Sequence, residues 1–110
     1  MARQPARELA AFFARLAEQD TLRADELAFL CQYFGQPRQG LSEPLLVGLE
    51  ATLSVSADER LRRIGLALLS GRARSASGWS GPLVERLRIY RADPSSLVAA
   101  AAQFIFTDDE

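Results

Sequence analysis

Residues 44–69 and 82–106 repeat one pattern, and that repetition constrains the fold more than any other feature of the chain. Setting Pro44 against Pro82 aligns Leu45 with Leu83, Leu46 with Val84 and Leu49 with Leu87. With one deletion at the corner, Leu61 falls on Val98, Gly65 on Ala102 and Leu69 on Phe106. Each copy reads as helix, sharp turn, helix. One helix pair cannot bury its own apolar face, so a repeated pair implies stacking on a neighbour.

Periodicity and capping residues predict six helices. In the first, over about 6–18, Leu9, Phe12, Phe13 and Leu16 fall at i, i+3, i+4 and i+7, one helix face. The second, over about 24–34, repeats the spacing with Leu27, Leu30, Cys31 and Phe34. Asp25 and Glu26 suit the positive end of its dipole, and Gly35 with Pro37 marks its stop. Ser42 caps the third helix, with Pro44 in its first turn and a stripe of Leu45, Leu46, Leu49 and Leu53. Ser56-Ala57-Asp58-Glu59 matches a capping box opening the fourth, which runs to about Ser70 and stops at Gly71. Leu61, Ile64, Leu68 and Leu69 are its inward face, and Gly65 admits a close neighbour.

Residues 72–80 read as a Ser-, Gly- and Arg-rich loop. Ser80 or Gly81 opens the fifth helix, whose apolar face is Leu83, Val84, Leu87 and Tyr90. Asp93-Pro94 ends it and caps the sixth, which carries Leu97, Val98, Ala101, Ala102 and Ile105. The acidic end, 107–110, opposes the helix dipole and is expected to fray. Short corners force antiparallel neighbours. Sustained alternation and hairpin dipeptides are absent, so the class is all-α. The prediction is one domain of three helix pairs, about 6–35, 42–70 and 80–106.

The second copy has Asp93-Pro94, then Val98, Ala102, Ile105 and Phe106; the first has Leu61, Arg62, Gly65, Leu68 and Leu69. Over about residues 42–106 this resembles the HEAT repeat family. In that pattern an Asp-Pro corner is followed by an apolar residue, usually Arg, a small residue and an apolar pair. The first copy departs with Ser56-Ala57 at the corner, the second with Ala99 at the Arg position. A repeated Arg–Asp ladder is therefore not implied. What the resemblance implies is a short right-handed α-solenoid stack used as a protein-interaction scaffold, with a structural role for Arg62. The alternative architecture is a compact six-helix bundle of death-domain type.

Composition narrows the function. The 110 residues hold 13 Arg, 14 acids, one Cys and no His, Lys or Asn. Without His the chain lacks the commonest general base and zinc ligand. The lone Cys31 excludes an internal disulfide and fits a reducing, cytoplasmic setting. The N-terminal segment is broken by charge and does not read as a signal peptide, and no apolar run is long enough to span a membrane. The all-Arg usage points to a GC-rich bacterial genome. Neither a cofactor nor a metal site is expected, and an enzyme is the least favoured class.

Charge is unevenly spread. Residues 60–91 carry eight Arg against Glu85 alone, between acidic ends. Planar guanidinium groups suit carboxylate and phosphate, so Arg60, Arg63, Arg72, Arg74, Arg86, Arg88 and Arg91 are the candidate partner-binding cations. Their plain alternative is a solvated helix face. Trp79 reads as a loop residue folded over the core or as an exposed anchor. Phe104 and Phe106 flank the inward face of the last helix, on the edge where a further repeat would dock, or pack beside Ile105. Cys31 reads as a structural thiol. The expected function is non-enzymatic protein interaction with an acidic partner surface. Nucleic-acid phosphate binding on the same Arg face is the alternative, and self-association through the Phe104/Phe106 edge is a third reading.

Overall fold

A computed structural model of the chain describes residues 5–19, 23–35, 43–75, 79 and 81–105. The described residues form six helices and no strand: α1 (Pro5–Glu18), α2 (Ala24–Phe34), α3 (Glu43–Ser54), α4 (Glu59–Ser75), α5 (Gly81–Arg91) and α6 (Ser96–Gln103). None is long and apolar enough to cross a membrane.

The helix α4 organises the rest. It packs against every other helix: extensively on α3, with α2 and α6 on either side, and also on α5 and α1. Its centre is therefore buried all round, with Ile64, Gly65, Leu66, Ala67, Leu68 and Leu69 in succession shielded from solvent. Leu61, Ile64, Ala67 and Leu68 join Phe13, Leu27, Phe34, Leu49 and Leu53 in one apolar cluster. Leu66, Leu69 and Ala73 join Leu83, Leu87, Tyr90, Val98 and Ala102 in a second. The molecule measures 39 × 33 × 21 Å, and its thin dimension matches two helix layers of about 10 Å each.

The burial of α4 corrects two expectations. Gly71 does not stop the helix; it is buried inside it, and α4 continues to Ser75 through much of the expected loop. A residue without a side chain at 71 and Ala73 at 1% exposure allow close neighbours, so packing overrides the stop signal. The capping box also shifts. Asp58, not Ser56, caps α4, its carboxylate accepting from the Arg60 N–H at 2.8 Å, while Ser56 accepts from the Asp58 N–H at 3.1 Å.

The corner between α5 and α6 repeats this arrangement. Asp93 accepts from the Ser95 N–H at 2.9 Å, and Ser95, rather than Asp93, caps α6 by accepting from the Leu97 N–H at 3.2 Å. Consequently α6 begins after Pro94 and ends at Gln103, shorter than expected. Gly35 does close α2, but in a right-handed conformation, φ −75°, with its N–H on the Cys31 carbonyl at 2.9 Å. Phe12 is 48% exposed rather than buried with Phe13, because the buried face of α1 centres on Ala10, Phe13 and Ala17, at i, i+3 and i+7, and Phe12 falls outside it. Leu97 on α6 is likewise exposed. The Ser42 cap, the Phe106 edge position and the fraying of 107–110 fall outside the described residues.

Candidate functional site

The arginine cluster that runs together in sequence is dispersed in space, and most of it is engaged internally. Glu50 is the largest organiser. It is 2% exposed, on the leucine stripe of α3 at i, i+4 and i+7 with Leu46 and Leu53. Its carboxylate accepts from both arms of the Arg86 guanidinium, from Nε at 3.0 Å and from Nη2 more closely. The Tyr90 hydroxyl donates to it at 2.8 Å, and Arg72 lies 3.8 Å away. Arg86 also donates to the Ser54 hydroxyl at 2.8 Å. The Glu50 hydrogen bonds hold the Arg86 pKa above its ordinary value; burial, with Glu50 adding to it, pushes the Tyr90 phenol up. Gly65 makes this possible: a Cβ there would lie 2.7 Å from the Tyr90 hydroxyl.

A second set joins the two corners. Arg62 grips Asp93 with two hydrogen bonds, 2.7 and 3.1 Å, and donates to the Ser56 carbonyl at 2.9 Å. The guanidinium hydrogen bonds hold the Asp93 carboxyl below the usual range, and Asp93 in turn raises Arg62. The Ser95 hydroxyl donates to Glu59, tying α6 to the start of α4.

The remaining candidates divide in the same way. Arg60 pairs with Asp58 at 2.9 Å and reaches the Ala17 carbonyl at the end of α1, at 3.1 Å. Arg91 donates to the carbonyls of Ala102 and Ile105, satisfying the exposed end of α6. Arg88 is exposed and pairs with Glu85 one turn back at 2.9 Å. Trp79 is half-buried against the second apolar cluster. Phe104 is 79% exposed, and its candidate partner Phe106 lies outside the described residues. The seven arginines therefore do not share one basic face.

Two of them do come together with a concavity. Arg63, Ala67, Ser70 and Arg74 form one stripe of α4 at spacings of four, three and four, which lie one above another on a helix. This stripe borders an open groove of about 350 Å³ between α2, α4 and α6. Cys31 and Gln32 line its α2 wall, and Ala101 with Ile105 its α6 side. Among the described residues neither Arg63 nor Arg74 has an ion-pair partner, in contrast to Arg60, Arg62, Arg86 and Arg88. Cys31 Sγ sits 3.8 Å from the Arg63 carbonyl; burial pushes its thiol up, opposed in part by the Arg63 charge, so it stays protonated at neutral pH.

Exposed apolar side chains mark both ends of the row. Phe29 at 66% and Tyr33 at 37% stand one turn apart on α2. Leu97 at 37% and Phe104 stand seven residues apart at the other end, on α6 and just past it. Sequence reasoning passed over Glu50, Gln32 and Ser70. Glu50 carried a signal, since a carboxylate inside a leucine stripe requires a buried cation or donor; Gln32 and Ser70 carried none.

No family model matches the chain, and neither a curated protein nor a solved structure matches it.

Proposed function

We propose that the chain is a small, non-enzymatic protein-interaction module built as a HEAT-like stack of three helix pairs, with α2, α4 and α6 presenting the binding side. The observation that carries this reading is the row itself: α2 and α6 flank α4, leaving a groove along the middle helix and apolar edges at both ends. Three further features favour the stack over a bundle wrapped on one centre. The apolar core is divided into two clusters on either side of α4. The two corners use the same pair of side-chain hydrogen bonds, Ser56 and Asp58 in one, Asp93 and Ser95 in the other. Arg62 and Asp93 connect those corners at the Arg and Asp positions of the resembled pattern.

Panning the purified protein against a displayed library of random 12-residue peptides tests the function. The expected outcome is a convergent family of sequences that binds the folded chain and is lost on heat unfolding. Selection without convergence over repeated rounds would count against an interaction module.

A further inference from the structure

We infer that the groove along α4 binds an extended acidic peptide segment, with Arg63 and Arg74 each holding one carboxylate. This deepens the interaction-module reading and rests on it. Eleven residues separate the two arginines, three helical turns, or about 16 Å of axial rise. An extended chain covers that span in about five residues. Between the two cations lie the Ser70 hydroxyl and, on the facing wall, the Gln32 amide, which can hydrogen-bond a peptide backbone. Ala67, Ala101 and Gly35 keep the floor low enough for a main chain to approach.

Among the described residues, nothing in the fold neutralises the charge of the site. Among the described residues every other arginine in the 60–91 stretch neutralises a carboxylate or satisfies a helix end, whereas Arg63 and Arg74 have no ion-pair partner there and face the groove. The same dispersal disfavours a nucleic acid. A phosphate backbone needs a track of cations, and single-stranded bases need aromatic platforms; among the described residues this groove has two cations and no aromatic side chain in its lining. Carboxylates instead accept bidentate hydrogen bonds from single guanidinium groups.

The test is to pan the same random 12-residue library on the wild type, Arg63→Gln/Arg74→Gln, Arg63→Glu/Arg74→Glu and Arg88→Gln, after confirming by circular dichroism that each melts cooperatively. Wild type and Arg88→Gln are expected to enrich peptides with two acidic residues about four to six apart. The Gln pair should weaken the best such peptide by about tenfold or more in Kd, measured by fluorescence anisotropy at low salt. The Glu pair should turn the selection toward basic peptides. If the Glu pair does not fold, the Gln pair alone decides. Convergent peptides that lack acids, or that bind the Gln pair as well as wild type, would overturn the groove assignment while leaving the module reading intact. Absence of any convergent peptide would remove both. A labelled single-stranded oligonucleotide that binds wild type more tightly than the acidic peptide, and loses binding in the Gln pair, would overturn it in favour of a phosphate ligand.

Discussion

The two sides of α4 are held by different physics. Toward α1, α2 and α3 the described residues form a seam of eleven buried apolar side chains, with Phe13 meeting Phe34 edge to face at 5.9 Å. Toward α5 and α6 the cluster of described residues is smaller, eight, and the neighbours are also tied by Glu50–Arg86–Tyr90 and Arg62–Asp93. Apolar burial is strong but non-directional, and it tolerates small slides. Bidentate ion pairs fix orientation, at a desolvation cost that can cancel their attraction. The first side thus supplies most of the stability, and the second sets where the last helix pair sits. That placement matters because α6 forms one wall of the groove.

The largest expected effect comes from breaking the directional side at its centre. Glu50→Ala leaves Arg86 and the Tyr90 hydroxyl facing a vacancy, and loss of one member of a buried ion pair costs about 3–5 kcal/mol. Urea unfolding should show that loss. Hydrogen exchange should show where it falls, with amides of α5 and α6 losing protection well before those of α1 to α3. Equal loss of protection on both sides of α4 would erase the distinction between them.

A smaller effect sharpens the same contrast. Gly65→Ala places a methyl 2.7 Å from the Tyr90 hydroxyl and displaces it from Glu50. Its other near neighbours, Leu53 Cβ and the Ser54 nitrogen, are 3.5 Å away, ordinary contact distance. The substitution should cost about 1–3 kcal/mol in wild type. In a Tyr90→Phe background the clashing oxygen is gone, so the added cost should fall by more than half. Additive costs in the double-mutant cycle would mean that the methyl clashes with the helix corner rather than with the hydroxyl.

How far the sequence could be read follows from the same division. Helix positions and inward faces on the apolar side were legible, since periodicity reports burial on one face; Leu49, Leu53, Leu61 and Ile64 are all buried as their spacing predicts. The end of α4 was not legible. A glycine followed by Arg, Ala and Ser reads locally as a loop, and only burial on several sides explains why Gly71 and Ala73 continue the helix. The arginines were legible as charge and illegible as sites. Arg62 finds its acid 31 residues away and Arg86 finds Glu50 36 residues away, on helices whose adjacency no local pattern encodes. Arg86, Arg88 and Arg91 look alike in sequence, yet only Arg88 points away from the fold. Reversing all three charges would therefore disrupt internal contacts as well as any surface.

The Arg62–Asp93 pair gives the smallest of these effects and the one that separates charge from shape. Asp93→Asn keeps the size of the side chain and removes the charge that Arg62 grips, so about 1–2 kcal/mol should be lost at neutral pH. Asp93 titrates below its ordinary value in the folded chain because Arg62 hydrogen-bonds its ionised form. Its contribution is therefore complete above the unfolded carboxylate value of about 4 and is lost as pH falls through the lower folded value. Within that window the unfolded chain binds the proton that folded Asp93 refuses, so stability rises with pH. The variant lacks this term, and its urea midpoint should converge on wild type as pH is lowered from 5 toward about 2. Asp58 is lowered as well, but by Arg60 two residues away on the same turn, so it adds the same acid dependence to both proteins and cancels in the difference. A gap between wild type and variant that stays constant with pH would mean that the corner is held by the hydrogen-bond geometry of Asp93 alone, and that its charge does not help to orient the α5–α6 pair.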